Sequence, residues 1–224
     1  MSYEEEKQIA ANESVKLVED GMIVGLGSGS TAAYMIKRLG ERVTGGLQIK
    51  GVASSEQTKE LAIAQGITII SLDEAPIIDI NIDGADEFDP YLQLIKGGGG
   101  ALLREKIIAS NSKKNIIIVD SGKEVNRLGK FRLPIETIPF ATNKIIGALA
   151  GKGLDPILRL TDNEIFRTDE NNYILDLNIL PFTNLAKLQE DLIAIPGIVE
   201  TGLFLDTTYK VIMGKGHSAV IITK

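Results

Sequence analysis

The chain has 224 residues, a formal net charge of −6, no cysteine and one histidine. This length can bury the core of one large domain or two small ones. Without cysteine there are no disulfides, thiolate nucleophiles or cysteine-ligated metals. The single histidine argues against zinc clusters and Ser-His-Asp triads. Acid–base chemistry would therefore fall to carboxylates and lysines.

The composition also limits the partners and the compartment. No apolar run approaches the roughly 20 residues of a membrane span. The acidic start of the chain is unlike a signal or transit peptide. Net negative charge argues against a general nucleic-acid surface. We therefore expect a cytoplasmic protein without nucleic-acid or membrane partners, in which an anionic ligand would need a local positive pocket.

Helix and strand patterns alternate through the first half. Apolar spacing predicts a helix over residues 4–20, a buried strand over 22–26 and a helix beginning at 32–39. Further segments are predicted as strands at 49–53, 67–70, 77–82 and 116–119, and as helices at 54–65, capped by Ser54 or Ser55, and 101–110. Doubly apolar strands separated by helices predict a Rossmann-like, mostly parallel sheet with helices on both faces.

The texture changes after about residue 129, where prolines become frequent. The later segments are predicted as helices at 141–150 and 184–193, strands near 157–159 and 173–178, and an extended stretch at 198–205. The order β-α-β-β-α-β suits a smaller ferredoxin-like α+β domain. Segments 211–213 and 219–223 would rejoin the first sheet. We therefore predict a Rossmann-like domain of residues 1–129 and 206–224, and a ferredoxin-like domain of residues 130–205.

Polar segments follow several predicted strands, at residues 27–31, 54–55, 83–86 and 120–123. Ligands of such sheets bind beyond the carboxyl ends of the strands. This convergence is more informative than any one segment.

The first of these segments reads Gly27-Ser28-Gly29-Ser30-Thr31. Backbone amides at a helix start, with hydroxyls around them, bind phosphate well. The segment is neither a P-loop nor a GxGxxG fingerprint. A plain turn with Ser30 or Thr31 as N-cap explains it equally well. Lys123 could close a phosphate site as a point charge or could be an ordinary loop lysine.

A second group begins with Asp83 and Asp86 and continues with Lys96, four glycines and Glu105. The aspartates could be turn formers, magnesium ligands or catalytic groups. The glycines would let backbone approach a ligand closely, and Lys96 could stabilise an oxyanion. Glu105 could face solvent or the pocket, and the sequence leaves its helix face open. His217 is expected to be a surface or structural residue.

These motifs together resemble ribose-5-phosphate isomerase of the A type. The resemblance rests on residues 27–33, 54–55, 83–87, 96–106 and 121–123, and continues more weakly through 161–163, 174–176 and 195–204. It implies interconversion of ribose 5-phosphate and ribulose 5-phosphate in the non-oxidative pentose phosphate pathway, with no cofactor and no metal. It also implies a homodimer or homotetramer.

By motif position, the resemblance implies that Glu105 is the general base of an enediolate mechanism. Asp83 would handle hydroxyl protons with support from Asp86, and Lys96 would stabilise the oxyanion. The implied substrate-binding residues are Ser28, Gly29, Ser30, Thr31, Asp83, Gly84, Ala85, Asp86, Lys96, Gly97, Gly98, Gly99 and Lys123.

Three other functions are compatible with a similar scaffold. Sugar-phosphate deaminases use an active-site histidine, which residues 1–129 lack. Coenzyme A transferases use a glutamate nucleophile and would form a thioester. A sugar-phosphate sensor would need an attached DNA-binding helix pair, whereas this sequence is expected to start directly with the first α/β unit.

Overall fold

The computed structural model describes residues 2–223. The helices are α1 (Tyr3–Ser14), α2 (Ser30–Thr44), α3 (Glu56–Ala64), α4 (Leu102–Ser110), α5 (Thr142–Gly151) and α6 (Leu185–Ile193). The strands of the first half are β1 (Ile23–Leu26), β2 (Lys50–Ala53), β3 (Thr68–Ile69), β4 (Ile80–Asp83), β5 (Glu87–Phe88), β6 (Leu94–Ile95) and β7 (Asn115–Asp120). Those of the second half are β8 (Leu133–Thr137), β9 (Ile157–Leu158), β10 (Leu160–Thr161), β11 (Glu164–Ile165), β12 (Tyr173–Leu177), β13 (Ile198–Thr201), β14 (Leu203–Phe204), β15 (Lys210–Lys215) and β16 (Ser218–Thr223).

A seven-stranded sheet has the order β16-β15-β7-β4-β1-β2-β3. Its neighbours pair in parallel, except that β16 runs antiparallel to β15. The six parallel strands follow the 3-2-1-4-5-6 order of a Rossmann-like sheet. The mostly parallel sheet is confirmed, and so is the return of the last two strands to it.

Strand β1 shows how helices cover both faces of this sheet. Val24 and Leu26 belong to a core cluster that also contains Ala10 of α1 and Met35 of α2. Gly25 points the other way, and a Cβ atom there would lie 2.8 Å from the Ile108 side chain of α4. Because alternate residues of a strand face opposite sides, α1 and α2 lie on one face and α4 on the other.

The second sheet has the order β13-β8-β12-β9 and is antiparallel throughout. Helix α5 follows β8 in the chain, and α6 follows β12. Leu149 of α5 and Leu188 of α6 pack in one cluster with the apolar residues of the sheet. The predicted ferredoxin-like arrangement is confirmed.

Internal contacts divide the chain into two compact units. The first unit is Met1–Ala85, Arg104–Glu124 and Asp206–Lys224, and the second is Asp86–Leu103 and Val125–Leu205. The predicted domain limits differ from these units, because they place residues 86–103 and 125–129 in the first domain and the contacts place them in the second unit. As a statement about independently folding domains, those limits stay a prediction.

Several local expectations need correction. Helix α1 ends at Ser14 and continues as a 3-10 turn, Val15–Leu17, rather than as α-helix to residue 20. The sequence patterns also missed the two-stranded β10-β11 sheet and the three-stranded β14-β6-β5 sheet, whose strands have only two residues each. Among residues 2–223 no helix is both long enough and apolar enough to cross a membrane.

Candidate active site

The predicted polar segments of the first unit lie together at one edge of the large sheet. Strands β1, β2, β4 and β7 run in the same direction, so their carboxyl ends share that edge. Segments 27–31, 54–55 and 120–123 and the Asp83 side chain are therefore neighbours in the fold. This is the edge at which parallel α/β sheets bind ligands.

The carboxylate of Asp83, at the end of β4, is fixed by its neighbours. Its Oδ1 accepts hydrogen bonds from the N–H of Ser28 at 3.1 Å and of Gly84 at 2.7 Å. Asp83 as a whole is only 1 % exposed. A Cβ atom at Gly27 would lie 2.1 Å from the same oxygen, so only glycine lets the β1 loop approach this closely. Asp83 is thus held in one orientation against the Gly27-Ser28 backbone.

Hydroxyl groups cluster beside that loop. The Oγ of Ser28 lies 2.7 Å from the hydroxyl of Ser54, 3.1 Å from that of Ser55 and 3.2 Å from that of Thr58. Ser55 caps α3 by accepting the N–H of Thr58 at 3.0 Å, as one of the two predicted caps. Thr58 was not among the predicted site residues. Its place in the first turn of α3 is the one feature of the sequence that could have pointed to it.

The residue that caps α2 is neither Ser30 nor Thr31, the two caps that the plain-turn alternative predicted. Gly29 is the N-cap, with φ of 89°, and none of the side chains of residues 2–223 caps the helix. Ser30 is exposed and Thr31 is buried. The first-turn amides of α2 therefore have no side-chain cap, which suits an anion at this helix start.

Glu105 is a buried side chain of α4, with 5 % of the residue exposed. It shares its helix face with Ile108 and Ala109, which are also buried. Arg104 instead reaches outward and donates to Glu56 at 2.9 Å. The question of the Glu105 helix face is thus answered in favour of the interior.

Lys123 ends the 3-10 turn Ser121–Lys123 that follows β7. The Asp120 carboxylate accepts the N–H of Gly122 at 3.0 Å and caps the turn. Lys123 is half-buried there. His217 is exposed in the connection between β15 and β16, which is the surface position of the two alternatives expected.

The second unit carries Lys96 and the glycine loop. Lys96 is 4 % exposed, and its ammonium lies 5.6 Å from the centre of the Phe204 ring. Its backbone N–H donates to the carbonyl of Gly202 at 2.9 Å. Packing therefore holds this lysine at the entrance to the loop.

Asp86 supports the same loop. Its Oδ2 accepts the N–H of Gly98 at 2.7 Å. A Cβ atom at Gly98 would lie 2.5 Å from the other oxygen of this carboxylate. The glycine is required by this close approach, and Asp86 fixes one peptide of the loop.

The sequence reasoning did not identify Arg159 as a part of this loop's surroundings. Its guanidinium donates to the carbonyls of Gly97 at 2.8 Å and Gly98 at 3.0 Å. The only sequence signal was the weak resemblance over nearby residues 161–163 and 174–176. An arginine between two short strands has no local pattern that marks it as a loop contact.

The described residues contain no group of three or more histidine, cysteine, aspartate or glutamate side chains that could hold a metal ion. The magnesium interpretation of Asp83 and Asp86 therefore gains no ligand cluster from residues 2–223. At the edge of the large sheet, the hydroxyl groups and the start of α2 instead suit anion binding.

Comparison with known proteins decides the family. The sequence profile of ribose 5-phosphate isomerase A (phosphoriboisomerase A) matches residues 50–218. The ribose-5-phosphate isomerase A of Lactiplantibacillus plantarum is 45 % identical over 99 % of this chain and 98 % of that protein. The chain belongs to the ribose 5-phosphate isomerase A family.

Solved structures agree with this assignment over the whole length. Ribose 5-phosphate isomerase A from Methanocaldococcus jannaschii superposes with a TM-score of 0.95 at 39 % identity, with both chains covered completely. A D-ribose-5-phosphate isomerase in complex with phospho-erythronic acid superposes with a TM-score of 0.96 at 42 % identity, again over 100 % of both chains. The chain is accordingly an aldose-ketose isomerase that interconverts D-ribose 5-phosphate and D-ribulose 5-phosphate. The deaminase, transferase and sensor alternatives are set aside.

Proposed function

We propose that the isomerisation proceeds through an enediolate, with Glu105 as the general base. The carboxylate would take the proton from C2 of the open-chain aldose and return it to C1, so that the carbonyl ends at C2. The observation that carries this role is the burial of Glu105 on α4, only five residues after the last glycine of the loop. A positioned base of this kind contributes about 10²–10⁴-fold to the rate.

Asp83 would move the hydroxyl protons and assist ring opening, with Asp86 in support. The two N–H donors on Asp83 Oδ1 fix the direction of its carboxylate. Asp86 would act on the substrate side of the loop whose Gly98 amide it holds. Both aspartates, with Gly84 and Ala85 between them, are proposed to contact the sugar.

Lys96 and the glycine-loop amides of Gly97 and Gly99 would stabilise the developing oxyanion, while the Gly98 N–H holds Asp86. Preorganised donors of this kind are worth roughly 3–4 kcal/mol each when they are aimed at the forming charge. The burial of Lys96 supports the role, because a desolvated ammonium attracts an anion more strongly than a hydrated one.

The phosphate would bind to Ser28, Gly29, Ser30, Thr31 and Lys123. The uncapped start of α2 and the cluster of hydroxyls around Ser28 support this location. Lys123 follows β7 at the same sheet edge and would supply the charge. We further propose that the enzyme needs no cofactor or metal, acts in the cytoplasm in the non-oxidative pentose phosphate pathway, and forms a homodimer or homotetramer.

The test is turnover of ribose 5-phosphate in the presence of EDTA, followed as ketose formation. We expect Glu105→Gln to lower kcat by at least about 10²-fold with little change in KM. Glu164→Gln, at an exposed glutamate of β11, is the matched control and should behave as wild type. A defect of Glu105→Gln in KM alone would remove Glu105 from the base role, and loss of wild-type turnover in EDTA would overturn the metal-free mechanism.

A further inference from the structure

Arg159 forms a partly buried clamp within the second unit. Its side chain is 13 % exposed and forms a two-pronged ion pair with Asp176, in which Nε lies 2.9 Å from Oδ2. The remaining nitrogen, Nη1, donates to the carbonyls of both Gly97 and Gly98. A guanidinium can do this because its donors form a rigid planar fork.

Phe166 closes the clamp from the other side. Its ring centre lies 5.7 Å from the guanidinium carbon of Arg159. Its backbone N–H donates to the Arg159 carbonyl at 3.0 Å. Gly100 has φ of 82°, and a Cβ atom there would lie 2.3 Å from the ring. The ring thus packs directly against the end of the glycine loop.

These contacts determine where the loop amides point. In a trans peptide the N–H is directed opposite to the C=O. Because Arg159 holds the carbonyls of Gly97 and Gly98, the N–H groups of Gly98 and Gly99 face away from it. The Gly98 N–H indeed meets the Asp86 carboxylate at 2.7 Å. The Gly99 N–H is directed away from Arg159 in the same manner.

We propose that Arg159 is a positioning residue that aims the Gly99 N–H of the glycine loop at the oxyanion of the substrate, while it keeps the Gly98 N–H on Asp86. The proposal rests on the oxyanion role assigned to this loop above. The positive guanidinium at these two carbonyls also polarises both peptide groups and strengthens their N–H groups as donors. Asp176 keeps the guanidinium in place, and Phe166 prevents the loop from turning over at Gly100.

The test compares Arg159→Lys with Arg167→Lys. Lysine keeps the charge at position 159 but cannot hold Asp176 and two carbonyls at once. Arg167 is a matched control, because it also lies over an aromatic ring, that of Tyr173 at 5.0 Å, but is exposed. We expect Arg159→Lys to lower kcat by about 10–10²-fold, as small misplacements of catalytic groups do. KM should change by less than about 3-fold, since the oxyanion forms only during the reaction.

Binding measurements separate positioning from general damage to the fold. Phospho-erythronic acid carries a carboxylate that would stand in for the reacting oxygens, so Arg159→Lys should weaken its binding by about 10-fold or more. Inorganic phosphate, which lacks that group, should bind both variants as it binds wild type. Equal kinetics and equal phospho-erythronic acid binding for the two lysine variants would overturn the proposal.

Two further results keep the outcome decisive. If Arg159→Lys lowers Tm strongly, Asp176→Asn and Phe166→Leu provide the same test with the arginine retained, and each should lower kcat with KM preserved. Wild-type kcat in both of these folded variants would also overturn the proposal. Failure of the oxyanion role itself would show differently, because Lys96→Met would then leave kcat unchanged.

Discussion

Gly98 and Gly99 are adjacent in the loop after Lys96 but have different surroundings. A Cβ atom at Gly98 would collide with Asp86, whereas one at Gly99 would meet no atom of the described part of the chain within 4 Å. We expect Gly99→Ala to leave Tm near the wild-type value, because open surface substitutions change stability by about 0.5 kcal/mol or less. The new methyl group would nevertheless occupy the space proposed for the sugar, so KM should rise at least about 10-fold.

Thermal unfolding and steady-state kinetics on the same preparations check this prediction. Gly98→Ala is the comparison, and it should lose about 1–3 kcal/mol of stability together with activity, because its collision is internal. If folded Gly99→Ala kept the wild-type KM, the substrate would have to lie away from this side of the loop.

Glu105 illustrates what the sequence could and could not predict about a site residue. The motif around residues 96–106 identified the glutamate through the family resemblance. Its helix face stayed open because charged residues surround it on both sides, at Arg104 and Lys106. Packing decides the face: Ile108 lies in a cluster with Val52 and Ile78, and that contact turns Glu105 inward. No local pattern records those distant partners.

At the scale of the element, α1 is tied to two loops by a single buried carboxylate. Glu6 accepts the Oγ–H of Ser121 at 2.6 Å and the N–H groups of Ser121 and Gly216 at 2.9 Å each. Burial raises the pKa of Glu6, but the hydrogen bonds from Ser121 and Gly216 outweigh it and hold this pKa below the usual range. The ionised carboxylate therefore stabilises the fold.

The sign of the pH dependence follows from this lowered pKa. The stabilisation is present above the unfolded-state pKa of about 4.3 and is lost as pH falls through the lower folded-state pKa. We expect Glu6→Gln to reduce the free energy of unfolding by about 1–3 kcal/mol at pH 7. Below about pH 4 its difference from wild type should shrink.

Denaturant titrations at several pH values measure this difference. Glu5→Gln is the control on the same helix, because Glu5 is exposed and glutamine can also complete the capping box with Ser2. A Glu6→Gln deficit that stayed constant from pH 7 to pH 3 would show that the charge of Glu6 is not what stabilises this contact.

Strand β8 shows why one element escaped sequence prediction. Pro134 suggests a break, yet it lies inside β8 opposite Asp176 of β12. Its carbonyl accepts the N–H of Gly202 at 2.7 Å, and the ladder with β13 ends at Ile135. The backbone N and C=O of one strand residue face the same neighbouring strand. The nitrogen of Pro134 therefore faces the side of β13, beyond the point where the β8–β13 ladder ends, so its missing N–H is tolerated. The sequence could not show this tolerance without the partner strand.

At the scale of the whole molecule, the predictable part of the fold is the part with local patterns. In the large sheet, the strands show as apolar segments of the sequence, and the helices between them are marked by residues that end a helix. The β6–β14 pairing instead joins Leu94 to Phe204, and each strand has only two residues. Pairings so short and so distant in sequence carry no periodicity that could be detected.

The assembly is the remaining prediction at this scale, and Phe140 is the residue that tests it. Phe140 is 97 % exposed in the turn Pro139–Ala141, beside Ile138 at 37 %. Burying a phenylalanine side chain contributes about 1.5–3 kcal/mol of stabilisation. In a two-fold interface both subunits would bury Phe140, so this contribution would be made twice. We therefore expect the proposed homo-oligomer to bury Phe140, and Phe140→Ser to dissociate it on dilution.

Light scattering across a dilution series measures the mass directly. Ile63→Ser, on the exposed side of α3 at 57 % exposure, is the control and should keep the wild-type mass. The Tm of wild type should rise with protein concentration, and that of Phe140→Ser should lose this dependence, because subunit binding stabilises the folded chain by mass action. A Phe140→Ser protein with the wild-type mass at every concentration would place the interface on another surface, and a wild type of single-chain mass would remove the oligomer itself.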